Sequence, residues 1–155
     1  MTHTAPTTPA VDDTPPNASA TRSIALQLKM ACAGTIGFAI LILLGVHPAT
    51  DWPVRWFGDL LFWPLGDMTS ELQDEARLLA AIIGGIMTGF GLLIWMLVDE
   101  LIDDHPAVLR RLVMTTMAVW FILDSGGSII AGAPLNVVGN IGFLLMFILP
   151  ARRLA

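Results

Sequence analysis

Residues 112–150 read LVMTTMAVWFILDSGGSIIAGAPLNVVGNIGFLLMFILP, an apolar tract broken by one ionisable residue, Asp124. A helix crosses a hydrocarbon core of about 30 Å with about 20 apolar residues. The tract is long enough for two crossings, and Gly132-Ala133-Pro134 marks a turn between them. It predicts spans at 112–132 and 135–150, joined as a tight antiparallel hairpin. Towards the N-terminus, 78–98 and 26–46 are two further apolar runs. The predicted fold is all-α: a polytopic membrane protein with four transmembrane helices.

Composition points the same way. The chain is 55% hydrophobic and 14% charged, with a mean hydropathy of +0.72, where a globular domain carries about 25% charge. A net charge of −5 and the lack of a basic patch argue against nucleic acid as a partner. Cys32 is the single cysteine, which excludes an intrachain disulfide, a CxxC redox pair and a Cys-rich metal site.

Residues 1–25 are predicted as a flexible Pro/Thr-rich tail, too poor in large apolar residues to offset ordering entropy. The transmembrane domain then covers 26–155. Arg22 and Lys29 ahead of the run at 30–46 imitate a signal peptide. The run is long for that role and no A-x-A-like site follows, so the span is expected to be retained.

Orientation follows from the cations flanking the spans. Arg22, Lys29, Arg110, Arg111, Arg152 and Arg153 fall on one side, Arg55 and Arg77 on the other. Both termini are therefore expected in the cytoplasm, and the location is expected to be the bacterial inner (cytoplasmic) membrane. The loop after span one then lies outside. In it, 52–63 reads as an interfacial amphipathic helix starting behind Asp51, with Pro53 in its first turn. Asp51, Arg55 and Asp59 share one stripe. Trp52, Trp56 and Trp63 share another, which either docks a partner subunit or forms an aromatic belt sealing the bundle. Ser70-Glu71-Leu72-Gln73 has the form of a capping box opening the second span.

Asp124 lies roughly 18 Å along span three when counted from Leu112 at about 1.5 Å per residue. A tight turn brings Asn140 back to a similar depth, with Ser125, Ser128 and Asn136 nearby. One reading is a polar cluster that locks the hairpin by hydrogen bonds. The other is a proton, ion or quinone-headgroup site, because a carboxyl out of water holds its proton more readily, as a proton carrier requires.

Span two carries Gly85 and Gly89 as GxxxG, and Gly84 with Thr88 as a second pair of small residues. Both suit close helix packing, with Gly34 and Gly37 on span one as the opposing surface. His47 and His105 fall at opposite membrane faces, about 30 Å apart, so one chain cannot supply a bis-His haem site. Asp99, Glu100, Asp103 and Asp104 are expected to form a solvated cluster partly neutralised by Arg110 and Arg111. Asp104 is a candidate cap for span three ahead of Pro106.

Several membrane enzymes and carriers are disfavoured. Thiol oxidoreductases need paired cysteines, small multidrug transporters carry a glutamate in the first span, and four-helix glutathione enzymes use basic residues inside the bundle. None of these features is present. No nucleophile and base share a leaflet. The stretches GGIMTGFG (84–91) and WFILDSGGSIIAGAPLNVVGNIGF (120–143), with the four-span size, are similar to a small bacterial membrane-protein family of uncharacterised function. That resemblance covers spans two to four and implies no activity. The expected role is a non-enzymatic accessory or assembly subunit of a larger membrane complex, respiratory or photosynthetic. The alternative is a small transporter or proton-coupled protein working through Asp124. No cofactor or metal is predicted, with contact to lipid, quinone or pigment left open. The expected partners are membrane lipid, other integral membrane subunits or a second copy of the chain.

Overall fold

The computed structural model describes residues 16–62 and 72–154. Helices α1 (Pro16–Leu43), α2 (Trp52–Leu61), α3 (Asp74–Leu101), α4 (Pro106–Ile130) and α5 (Leu135–Ala151) make up the fold, with a 3₁₀ turn at Leu44–Val46. There is no strand among the described residues. Three stretches, Ala18–Val46, Asp74–Leu101 and Pro106–Ile130, are long and apolar enough to cross a membrane, and α5 is a shorter apolar helix. The outward faces match such a solvent: Leu26, Met30, Leu78, Ile86, Ile122, Leu123 and Ile130 are all exposed. A contiguous apolar surface of this kind is not sustained in water.

Several boundaries differ from the sequence reading. The first helix begins at Pro16, so the predicted tail boundary at residue 25 falls inside it. The extension is held by Ile24, which is buried in the core, and by a bond from Gln27 Nε2 to Ser23 Oγ one turn away. The capping-box residues Ser70 and Glu71 lie outside the described residues. Gln73, the last residue of that box, itself takes the N-cap position of α3 without a side-chain bond. Asp74 and Glu75 then fall in the first turn, where the helix dipole favours negative charge. Asp104 does not cap α4. His105 holds that position, also without a side-chain bond, because Pro106 starts the helix directly after it.

The packed core lies at one end of the bundle. Leu28 and Cys32 of α1 meet Val98 of α3, Leu109, Val113 and Met117 of α4, and Phe147 and Ala151 of α5. At this end Lys29 Nζ pairs with Asp99 Oδ1 and sits 5.5 Å from the Trp95 ring centre. The cation meeting the acidic cluster is thus Lys29 and not Arg110, whose Nη1 donates to the Leu154 carbonyl (3.1 Å).

The α1–α3 seam corrects the glycine reading. A Cβ on Gly84 would lie 2.5 Å from Leu43 Cγ and 3.0 Å from the Ala39 carbonyl oxygen. On Gly91 it would lie 2.9 Å from Ile36 Cγ1 and 3.3 Å from the Cys32 carbonyl oxygen. Gly85, Gly89 and Gly37 have nothing within 4 Å, and Gly34 meets only the tip of Met146. Thr88 Oγ1 bonds back to the Gly84 carbonyl within α3. The contact therefore repeats at seven residues on both helices (Gly84 and Gly91, Cys32 and Ala39), the spacing of a coiled-coil-like seam. A GxxxG face would instead repeat at four.

Between α4 and α5 the chain turns at Gly132, whose φ is +79°. Ala133 N–H reaches the Ser128 carbonyl and Gly132 N–H reaches that of Ile129, which together form a Schellman ending. An alanine there would have to take up the left-handed conformation, at about 1–2 kcal/mol. Gly132→Ala is expected to lower stability by that amount in denaturant unfolding of the detergent-solubilised protein.

Candidate functional site

Asp124 sits on α4, 18 residues after Pro106 and so about 27 Å along its axis. Two asparagines one turn apart on α5 reach it. Asn136 Nδ2 and Asn140 Nδ2 each donate to Asp124 Oδ1 at 2.9 Å. The second hydrogen of each amide goes to a serine: Asn136 to Ser128 Oγ (2.8 Å) and Asn140 to Ser125 Oγ (3.2 Å). Ser128 Oγ donates to the Asp124 main-chain carbonyl (2.8 Å) and lies 3.2 Å from Oδ1. All five predicted polar residues therefore meet. Ser125 and Asn140 are buried, and Asp124, Ser128 and Asn136 are partly so.

The donors that reach the carboxylate converge on Oδ1. None among the described residues reaches Oδ2, and no Lys, Arg or His among them pairs with this carboxylate. Asp124 also lines a cavity of about 350 Å³ with Phe38, Ile42, Phe57, Ile83, Met87, Trp120 and Phe143. A second hollow of about 290 Å³ shares Ile83, Met87, Trp120, Asp124 and Phe143 with it and extends to Thr35, Ile86 and Phe90. The cavity lies away from the packed core, among the later residues of α1 and α4 and the earlier residues of α3 and α5. On the α3 side Ile83, shared by both hollows, and Ile86 of the second are exposed, so the two open sideways.

Two aromatic pairs flank the cavity. Phe38 of α1 and Phe57 of α2 meet edge to face at 5.2 Å, and Trp120 of α4 and Phe143 of α5 lie 5.1 Å apart. Neither pair was singled out from the sequence. Their helical spacing looks like ordinary core, and the cavity they border is a property of the assembled bundle.

Helix α2 turns its two described tryptophans away from the bundle. Its polar stripe faces the bundle: Asp51 is only 1% exposed, with Arg55 and Asp59 partly buried. Trp52 and Trp56 face outward at 67% and 52% exposure, and Trp63 lies outside the described residues. The inward turn is set by Arg77 of α3. Its Nη2 donates to Asp51 Oδ2 (2.9 Å), its Nη1 to the Gly45 carbonyl (3.4 Å) and its Nε to that of Leu72 (3.1 Å). Arg55 Nε lies 3.0 Å from Asp51 Oδ1, a charge contact without hydrogen-bond geometry. The sequence signal was present in the i, i+4 spacing of Asp51 and Arg55. Nothing in it showed that Arg77 would complete the set.

No group of three or more metal-ligating side chains forms among the described residues. His47 Nδ1 accepts from the Ala49 N–H (3.1 Å), a local turn contact. Comparisons with known protein families, curated proteins and solved structures found no match to this chain.

Proposed function

We propose that the chain is a four-span protein of the bacterial inner membrane, with both termini cytoplasmic and α4 and α5 forming a transmembrane hairpin. Its role in this reading is to hold a small organic molecule in the Asp124 cavity, as a carrier or proton-coupled protein rather than an enzyme. One observation carries this: a carboxylate with one oxygen saturated by donors and the other without one, set in an apolar cavity. A purely structural aspartate needs no adjoining cavity, and charge at this depth is otherwise costly.

Asp124→Asn separates the two roles. The amide oxygen still accepts from Asn136 and Asn140, so the fold is expected to hold to within about 1 kcal/mol. Protein purified in mild detergent and analysed by native mass spectrometry is expected to carry a small molecule that the variant lacks. Identical bound content in the two would sink the proposal.

A second reading, an accessory or assembly subunit of a respiratory or photosynthetic complex, is favoured by the outward Trp52 and Trp56. Tryptophans also suit the lipid interface. Purification in mild detergent followed by identification of partners decides it: recovery of monomer or homodimer alone rejects the accessory role.

A further inference from the structure

We propose that the cavity takes a lipophilic organic cation, paired with Asp124 Oδ2 and walled by aromatic rings. This rests on the cavity reading above and names its ligand class. Among the described residues, Asp124 is the single ionisable one on the walls of either hollow. The parts of α1, α2, α3 and α5 that line them contribute no titratable side chain. A carboxylate at this depth needs an opposite charge or a proton, and no described residue supplies the charge.

The hydrogen-bond inventory selects the sign of the ligand. A quinone or other carbonyl headgroup needs donors. Here both hydrogens of each asparagine amide are already committed, one to Oδ1 and one to a serine oxygen. Beside the asparagines what remains is an acceptor, Oδ2; the Trp120 indole N–H, also on the walls, is a donor that no bond among the described residues occupies. The aromatic pairs Phe38–Phe57 and Trp120–Phe143 add ring faces and edges, and desolvated cations are attracted to ring faces. A volume of about 350 Å³ falls within the range of sites for drug-sized molecules.

Two ions of the same shape and opposite charge test the idea. Tetraphenylphosphonium and tetraphenylborate are titrated against the purified protein in nanodiscs of zwitterionic lipid, reading tryptophan quenching above that of empty nanodiscs. The phosphonium is expected to saturate and to bind roughly tenfold or more tighter than the borate. Asp124→Asn, checked for folding by thermal melting, is expected to lose that preference. Borate binding as tightly as phosphonium, or a folded variant that keeps the preference, overturns the cation assignment. In that case saturable binding of the borate or of decylubiquinone leaves the cavity reading standing. If none of the three probes saturates, the cavity reading falls as well. The phosphonium–borate comparison needs only the unaltered protein, so it decides even where the variant does not fold.

Discussion

Arg77→Met lowers the unfolding free energy by about 3 kcal/mol, at the low end of the range of about 3–5 kcal/mol for breaking a buried ion pair. Asp51 is almost fully buried, so removing its hydrogen-bonding cation leaves a carboxylate out of water. Arg55 remains 3.0 Å away and keeps the loss from being larger. The variant also frees the carbonyls of Gly45 and Leu72, which join the end of α1 and the start of α3 to the same guanidinium. Asp51→Asn combined with Arg77→Met removes both charges and recovers part of the loss, because paired apolar or neutral replacements avoid the orphaned ion. Titrating the detergent-solubilised variants with SDS, with helicity as the readout, measures both effects. A double variant less stable than either single one would reject this account.

Gly84→Val opens the seam between α1 and α3. A first side-chain carbon at this position already overlaps Leu43 Cγ and presses on the Ala39 carbonyl oxygen, and main chain cannot rotate away as a side chain can. Overpacking typically costs about 1–3 kcal/mol, and contact with backbone places this site towards the upper end. Gly85→Val is the control: its Cβ meets nothing within 4 Å, so the change is expected to stay within about 0.5 kcal/mol. The ranking can be read from thermal melting of the two variants side by side. Equal losses would mean that Gly85 packs as closely as Gly84, and would reject this account of the seam.

The two glycine positions also show how far the sequence could be read. Four apolar runs were visible because continuous apolar sequence marks a buried or lipid-facing helix, although the helices that carry the first three extend past the expected ends, to 28, 28 and 25 residues. The meeting of Asp124 with Asn136 and Asn140 was accessible for a related reason: a short turn and a constant rise per residue leave little freedom in depth. Which glycines lie in the seam was not accessible, because GxxxG and a seven-residue repeat coexist in GGIMTGFG and the choice depends on the opposing helix. The direction of α2 escaped for the same reason. A stripe pattern identifies residues that share a face, and Arg77, on a different helix, decides which face turns inward. The cavity leaves no local trace, since it arises where the core formed by Leu28, Val98, Leu109 and Phe147 ends.

Cys32, sealed in that core with its carbonyl set against Gly91, gives the protein an internal clock. A thiol with no exposed surface reacts with an alkylating reagent only in molecules whose helices have come apart. The chain has a single cysteine, so the rate of its modification reports openings of the core around α1 under native conditions, without denaturant and without an engineered reporter.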